Sequence, residues 1–165
     1  MARKVFYSFH YKPDCWRAAT VRSIGVIEGN KPASDNDWES VTSGGDDAIK
    51  RWISGQMTGT SCAVVLVGTN TANRKWINHE IIKAWDDGLG VVGIHIHGLK
   101  NADQQISTIG DNPFNYIGFG NTGTKLASIV NCYNPAGGNS QERYDWIKQH
   151  LANAVEEAIR IRDKK

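Results

Sequence analysis

The run SCAVVLV (61–67) passes without a break into GTNTANRKWINHEII (68–82), and few folds accommodate that junction. The first half is short, apolar and rich in β-branched residues, the pattern of a strand covered on both faces. Thr69, Asn70, Thr71 and Asn73 then supply turn-forming side chains. Ile77, Ile81, Ala84 and Trp85 recur at helical spacing. Buried strand, polar turn and amphipathic helix form half of a parallel β-α-β unit. On that helix Trp76 and Glu80 lie one turn apart on the same face. At roughly 100° per residue Glu80 falls about 60° from Ile77, beside the apolar stripe. A carboxylate there, just past the C-terminal end of a strand, is where α/β proteins place reactive groups. From the residues alone, a Glu that merely solvates a helix edge is the competing reading.

The same alternation recurs along the chain. Lys4–His10 (KVFYSFH) reads as a first strand. Pro13 disfavours helix at Lys12, so Asp14 is expected to cap a helix whose inner face is Trp16, Ala19, Thr20, Ser23, Ile24 and Ile27. Residues 29–45 are polar and turn-rich, a long functional loop. Asp46–Met57 follows as a helix with Ile49, Trp52, Ile53 and Met57 inward, and Gly88 stops the next one. Val91–Ile96 is another continuous apolar strand, and Leu126–Cys132 (LASIVNC) is expected to be the last. Asn139 caps a C-terminal helix over about 139–162, with Ile147, Leu151, Ala154, Val155 and Ala158 inward. Five of the six tryptophans fall in helical patterns and are expected mostly in the core, whereas Trp38 falls in the loop. The reading is one domain over 1–165, a three-layer α/β sandwich. Its sheet is mainly parallel, four or five strands in the flavodoxin-like order 2-1-3-4-5. Order then reverses between strands one and three, so the loops 10–13 and 68–74 meet in one crevice.

Composition narrows the occupants of that crevice. A net charge of +2 over 165 residues, with no dense basic face, argues against nucleic acid. No apolar stretch is long enough to span a bilayer, and MARKVFYSF lacks a signal-peptide core. Three cysteines in no metal-like spacing fit a reducing cytoplasm. His95 and His97 form an H-x-H pair without an evident third ligand, so no metal is expected. FHYKPD after strand one lacks the hydroxyl-rich phosphate loop of a flavodoxin, and no receiver-type acid cluster is present. G-x-G-x-x-G, P-loop and G-x-S-x-G signatures are absent. What remains is one carboxylate among aromatic and small polar residues. Such a site suits cleavage of an N-glycosidic bond, whose transition state gathers positive charge on the sugar.

Six segments then match a known pattern. KVFYSFHYKPD (4–14) resembles the first box of TIR domains, and GTNTANRKWINHEI (68–81) resembles their stretch ending in Trp-x-x-x-Glu. With DNDWES around Trp38, DDAIKRWISG, GIHIHGLK and DNPFNYIG, the chain resembles the TIR-like ThsB family of the bacterial Thoeris anti-phage system and its DUF1863 relatives. The resemblance covers about residues 3–120. It implies an enzyme that takes NAD⁺ as substrate, with no added cofactor. Such an enzyme breaks the nicotinamide–ribose bond and forms an ADP-ribose derivative, often cyclic, that activates an effector protein. It also implies Glu80 as the catalytic residue and Trp76 as shaping the site. Phe9, His10 and Tyr11 would line the nucleotide side, Trp38 would belong to a loop over the pocket, and Asn73 to the polar turn. Self-association is common in TIR domains, and many are adaptors without activity, so a non-enzymatic interaction module is the alternative. A nucleoside deoxyribosyltransferase-like enzyme is a third.

Overall fold

In a computed structural model, residues 3–25, 28–29, 43–119 and 123–165 are described. Trp38 and most of the polar loop that carries it lie outside those residues. Five strands run parallel: β1 (Lys4–Ser8), β2 (Glu28–Gly29), β3 (Cys62–Val67), β4 (Gly90–His95) and β7 (Cys132–Tyr133). Their order is β2-β1-β3-β4-β7, which is the expected 2-1-3-4-5 once the small hairpin of β5 (Gly118–Phe119) and β6 (Thr124–Lys125) is set aside. β3 is central. Its Val65 stands opposite Ser8 of β1, and its Val67 opposite His95 of β4. β3 is buried along its whole length, as its uninterrupted apolar run requires.

The pleat sorts the core into two clusters. Val5, Tyr7, Val64, Leu66, Val92 and Ile94 point to one side, against Ala18 and Val21 of α1 (Tyr11–Arg22) and the apolar face of α4 (Ser140–Asp163). Phe6, Ala63, Val65, Val67 and Val91 point to the other. There they meet Ile49, Ile53 and Met57 of α2 (Gly45–Met57) and Ile77, Ile81 and Ala84 of α3 (Lys75–Asp86). The five residues expected inward on the C-terminal helix are all buried. The Asn139 side chain accepts from the Glu142 backbone N–H at 2.9 Å and so starts that helix. Gly88, at φ 84°, ends α3.

Three expectations fail. α1 begins at Tyr11 with His10 at its N-cap, not at Asp14. Pro13 lies in the first turn, where its missing N–H costs nothing. Asp14 is buried inside the helix, 3.1 Å from Arg17 Nη1. The inner face of α1 is therefore Asp14, Arg17, Ala18 and Val21, while Trp16 is 54% exposed. Arg17 explains the inversion, because it also donates to Leu99 O at 2.7 Å and Gln105 O at 3.0 Å and fastens α1 to the segment after β4. Trp52, Trp76, Trp85 and Trp146 pack at the edges of the two clusters rather than within them. LASIVNC is not a strand: Leu126–Ser128 is a 3-10 turn, Leu126 and Val130 plug the α3-side cluster, and only Cys132–Tyr133 reaches the sheet.

Candidate active site

The two loops at the reversal of strand order build one cavity of about 290 Å³. Phe9, His10, Tyr11, Asn73, Trp76 and Glu80 all line it, together with Arg74, Lys75 and Ile77. Of the residues expected at the site from the sequence, only Trp38 falls outside the described residues. β1 delivers its share by direct continuation. Phe9 follows the last paired residue, His10 is the N-cap of α1, and Tyr11 opens that helix with its ring 6.1 Å from that of Phe9. The other wall is the start of α3. Asn73 adopts φ 61°, a left-handed conformation that Asn tolerates, and its Oδ1 accepts from Asn78 Nδ2 at 3.2 Å. This turns the chain so that Trp76 and Glu80 enter side by side. Lys75 is held from below by Asp46 of α2 at 2.6 Å, with its ammonium 4.9 Å from the centre of the Trp76 ring.

Glu80 is 8% exposed, on the buried face of α3. Burial pushes its carboxyl well above the ordinary carboxylate range, and the Ser8 hydroxyl acts in the opposite direction. Ser8 is wholly buried at the end of β1 and shares the pleat side of Phe6, toward α3. Its Oγ meets no partner within strict hydrogen-bond geometry, so it sits near Glu80 without a closed bond. His10 is held below the ordinary imidazole range, first by burial and then by the charges of Arg74 and Lys12. The cavity thus combines one carboxylate at its inner end, one neutral imidazole and cations at its mouth.

Arg74 and Lys75 were not foreseen from the sequence, although two adjacent cations directly before the site tryptophan are a readable signal for an anionic ligand. His95 and His97 do not reach this cavity. Their rings stand 5.8 Å apart, His95 Nε2 lies 3.6 Å from Cys132 Sγ, and His97 Nε2 lies 3.2 Å from Arg143 Nη1. Among the described residues no three His, Cys, Asp or Glu side chains group to hold a metal ion. No helix among them is long and apolar enough to cross a membrane.

Residues 6–101, a span containing most of these side chains, match the family described as Thoeris protein ThsB, TIR-like domain. The chain belongs to the ThsB TIR-like family. A Bacillus cereus (strain MSX-D12) protein named "Putative cyclic ADP-D-ribose synthase ThsB1" is 34% identical over 167 residues, covering 97% of this chain and 85% of the relative. The ThsB match ends soon after β4, whereas this relative also aligns with α4.

Proposed function

We propose that the chain is an NAD⁺-consuming enzyme of Thoeris defence. It would cleave the nicotinamide–ribose bond and make a cyclic ADP-ribose-type signal for an effector protein in the cytoplasm. The observation that carries the reading is Glu80, a buried carboxylate beside Trp76 at the inner end of a cavity in a ThsB-family chain. The relative's name supports the product class. At about 290 Å³ the cavity is at the small end for ligand pockets, and suits the nicotinamide riboside half of a dinucleotide. The pyrophosphate would then lie toward Arg74 and Lys75.

In this mechanism the ionised Glu80 accepts hydrogen bonds from the ribose hydroxyls and stabilises the oxocarbenium-like state as nicotinamide departs. Preorganised charge of this kind in a water-poor site is worth more than in bulk solvent. Trp76, Phe9 and Tyr11 shield the cation from water, favouring capture by a hydroxyl of the same molecule. The test is NAD⁺ turnover by wild-type protein and Glu80→Gln, supplied with lysate from phage-infected and from uninfected cells, with products resolved by mass spectrometry. Nicotinamide release that disappears in folded Glu80→Gln supports the enzyme, and the second product's mass identifies cyclisation. Equal silence of both folded proteins under both lysates replaces it with a TIR-type interaction module.

A further inference from the structure

We propose that His10 is the general base that takes the proton of the hydroxyl capturing the ribosyl group. The inference rests on the reading of this cavity as the place where the nicotinamide–ribose bond breaks. It concerns the second half of the reaction, the capture of the ribosyl group by a hydroxyl.

Position is the first argument. His10 and Glu80 belong to different loops, one after β1 and one after β3, yet both line the same cavity. A ribosyl cation held at Glu80 therefore has the imidazole within the same enclosure. Second, the ring does no structural work that would account for it. His10 occupies the N-cap of α1 but makes no side-chain capping bond. Its Nδ1 is enclosed without a hydrogen-bond partner. An imidazole kept for structure would have that nitrogen satisfied, as buried polar atoms nearly always are. A structural residue at an N-cap would be Ser, Thr, Asp or Asn.

The third argument is charge. Arg74 and Lys12 act on the His10 charge, and Tyr11, Lys75 and Glu80 are the other titratable groups that line its cavity. The N-terminus of α1 adds a partial positive charge. Burial first, then the charges of Arg74 and Lys12, hold the resting imidazole below its ordinary range, toward the neutral state a base needs. With the proton on the enclosed Nδ1, Nε2 offers its lone pair to the cavity. When it is protonated, the Glu80 carboxylate is, among the described residues, the one acidic group lining the cavity to offset it.

The step balances as follows. The C1′–N bond breaks and both its electrons leave with nicotinamide, so the pyridinium charge passes to the ribosyl group. A hydroxyl oxygen, from the far ribose of the same molecule or from water, donates a lone pair to form the C1′–O bond. Its proton goes to His10 Nε2, and the resulting imidazolium returns it to solvent as product leaves.

The experiment uses full-length wild-type protein, His10→Ala, His10→Asn and Glu80→Gln, with NAD⁺ as substrate and free imidazole as the added probe. A positioned base contributes about 10²–10⁴-fold, so His10→Ala is expected to lose at least about 100-fold in nucleotide product formation. Free imidazole is expected to restore a rising share of that loss in His10→Ala and none in Glu80→Gln. His10→Asn supplies an N-capping side chain and is expected to fold and to be as slow as His10→Ala. Independently of turnover, the His10 ring signals, assigned by their absence from His10→Asn, are expected to titrate below the ordinary imidazole value. A folded His10→Ala with wild-type rate and product ratio overturns the inference. So does a loss that imidazole leaves untouched, or a His10 that titrates at or above the ordinary value. Failure of the wild-type protein to turn over NAD⁺ under either lysate overturns the reading beneath it instead.

Discussion

Glu80 is placed under two opposed demands. The proposed chemistry needs it ionised, while burial favours the proton. An acid whose folded pKa lies above its unfolded value stabilises the fold at low pH, and that contribution is lost as pH rises through the folded pKa. At neutral pH the carboxylate is therefore a cost to stability, and Glu80→Gln should melt higher than wild type, by about 2–4 °C for each kcal/mol relieved, as calorimetry would read. A mutant that melts lower would show that the carboxylate is better compensated than its surroundings suggest. Ser8 modulates the same group. Its hydroxyl acts to lower the Glu80 pKa, so Ser8→Ala should raise that pKa further and move the acidic limb of the kcat/KM profile to higher pH. Activity lost on the acidic side of the profile should then return on the alkaline side. A uniform loss at all pH values would assign Ser8 to packing alone.

Among the elements, α1 teaches the most about what can be read without coordinates. α3 and α4 were legible because their buried stripes are aliphatic, and Glu80 was locatable as a neighbour of Ile77 on a helical wheel. α1 hides its polar pair and exposes its indole. Hydrophobic periodicity then selects the wrong face, since nothing in the spacing of Asp14 and Arg17 announces a buried ion pair with carbonyl partners 82 residues away at Leu99. The same long-range logic defeated LASIVNC, whose Leu126 and Val130 serve the α3-side cluster from irregular backbone. The Asp14–Arg17 pair also sits tight against the loop after β3, where a Cβ on Gly68 would collide with the Asp14 carboxylate. Arg17→Met should leave that carboxylate buried and unpaired, at a cost of about 3–5 kcal/mol in denaturant unfolding. Adding Asp14→Asn should recover a large part of it. If the single mutant loses under 1 kcal/mol, water reaches the pair and its fastening role is wrong.

Taken whole, the molecule keeps its longest helix on the sheet face opposite Glu80. Strand order was deducible from alternation alone, because parallel crossovers leave few arrangements. The division of labour between the two faces was not, since it depends on which side each helix lands. α4 packs on the face away from Glu80 and α3. Leu151→Ala in that face should cost about 2–5 kcal/mol of folding stability, measured by urea unfolding. NAD⁺ turnover at a permissive temperature should stay within about twofold of wild type. A parallel loss of turnover in a still-folded protein would mean that the α4 layer communicates with the cavity.

The sheet ends at β7, a strand of two residues beside the six of β4. An edge this short offers another chain almost no backbone to template on. Copies of this protein that gather into a filament or ring cannot zip together along that border. At that border they would meet through helical surfaces and loops, so contacts there would be set by side chains, and single surface substitutions could dissolve them without disturbing the sheet.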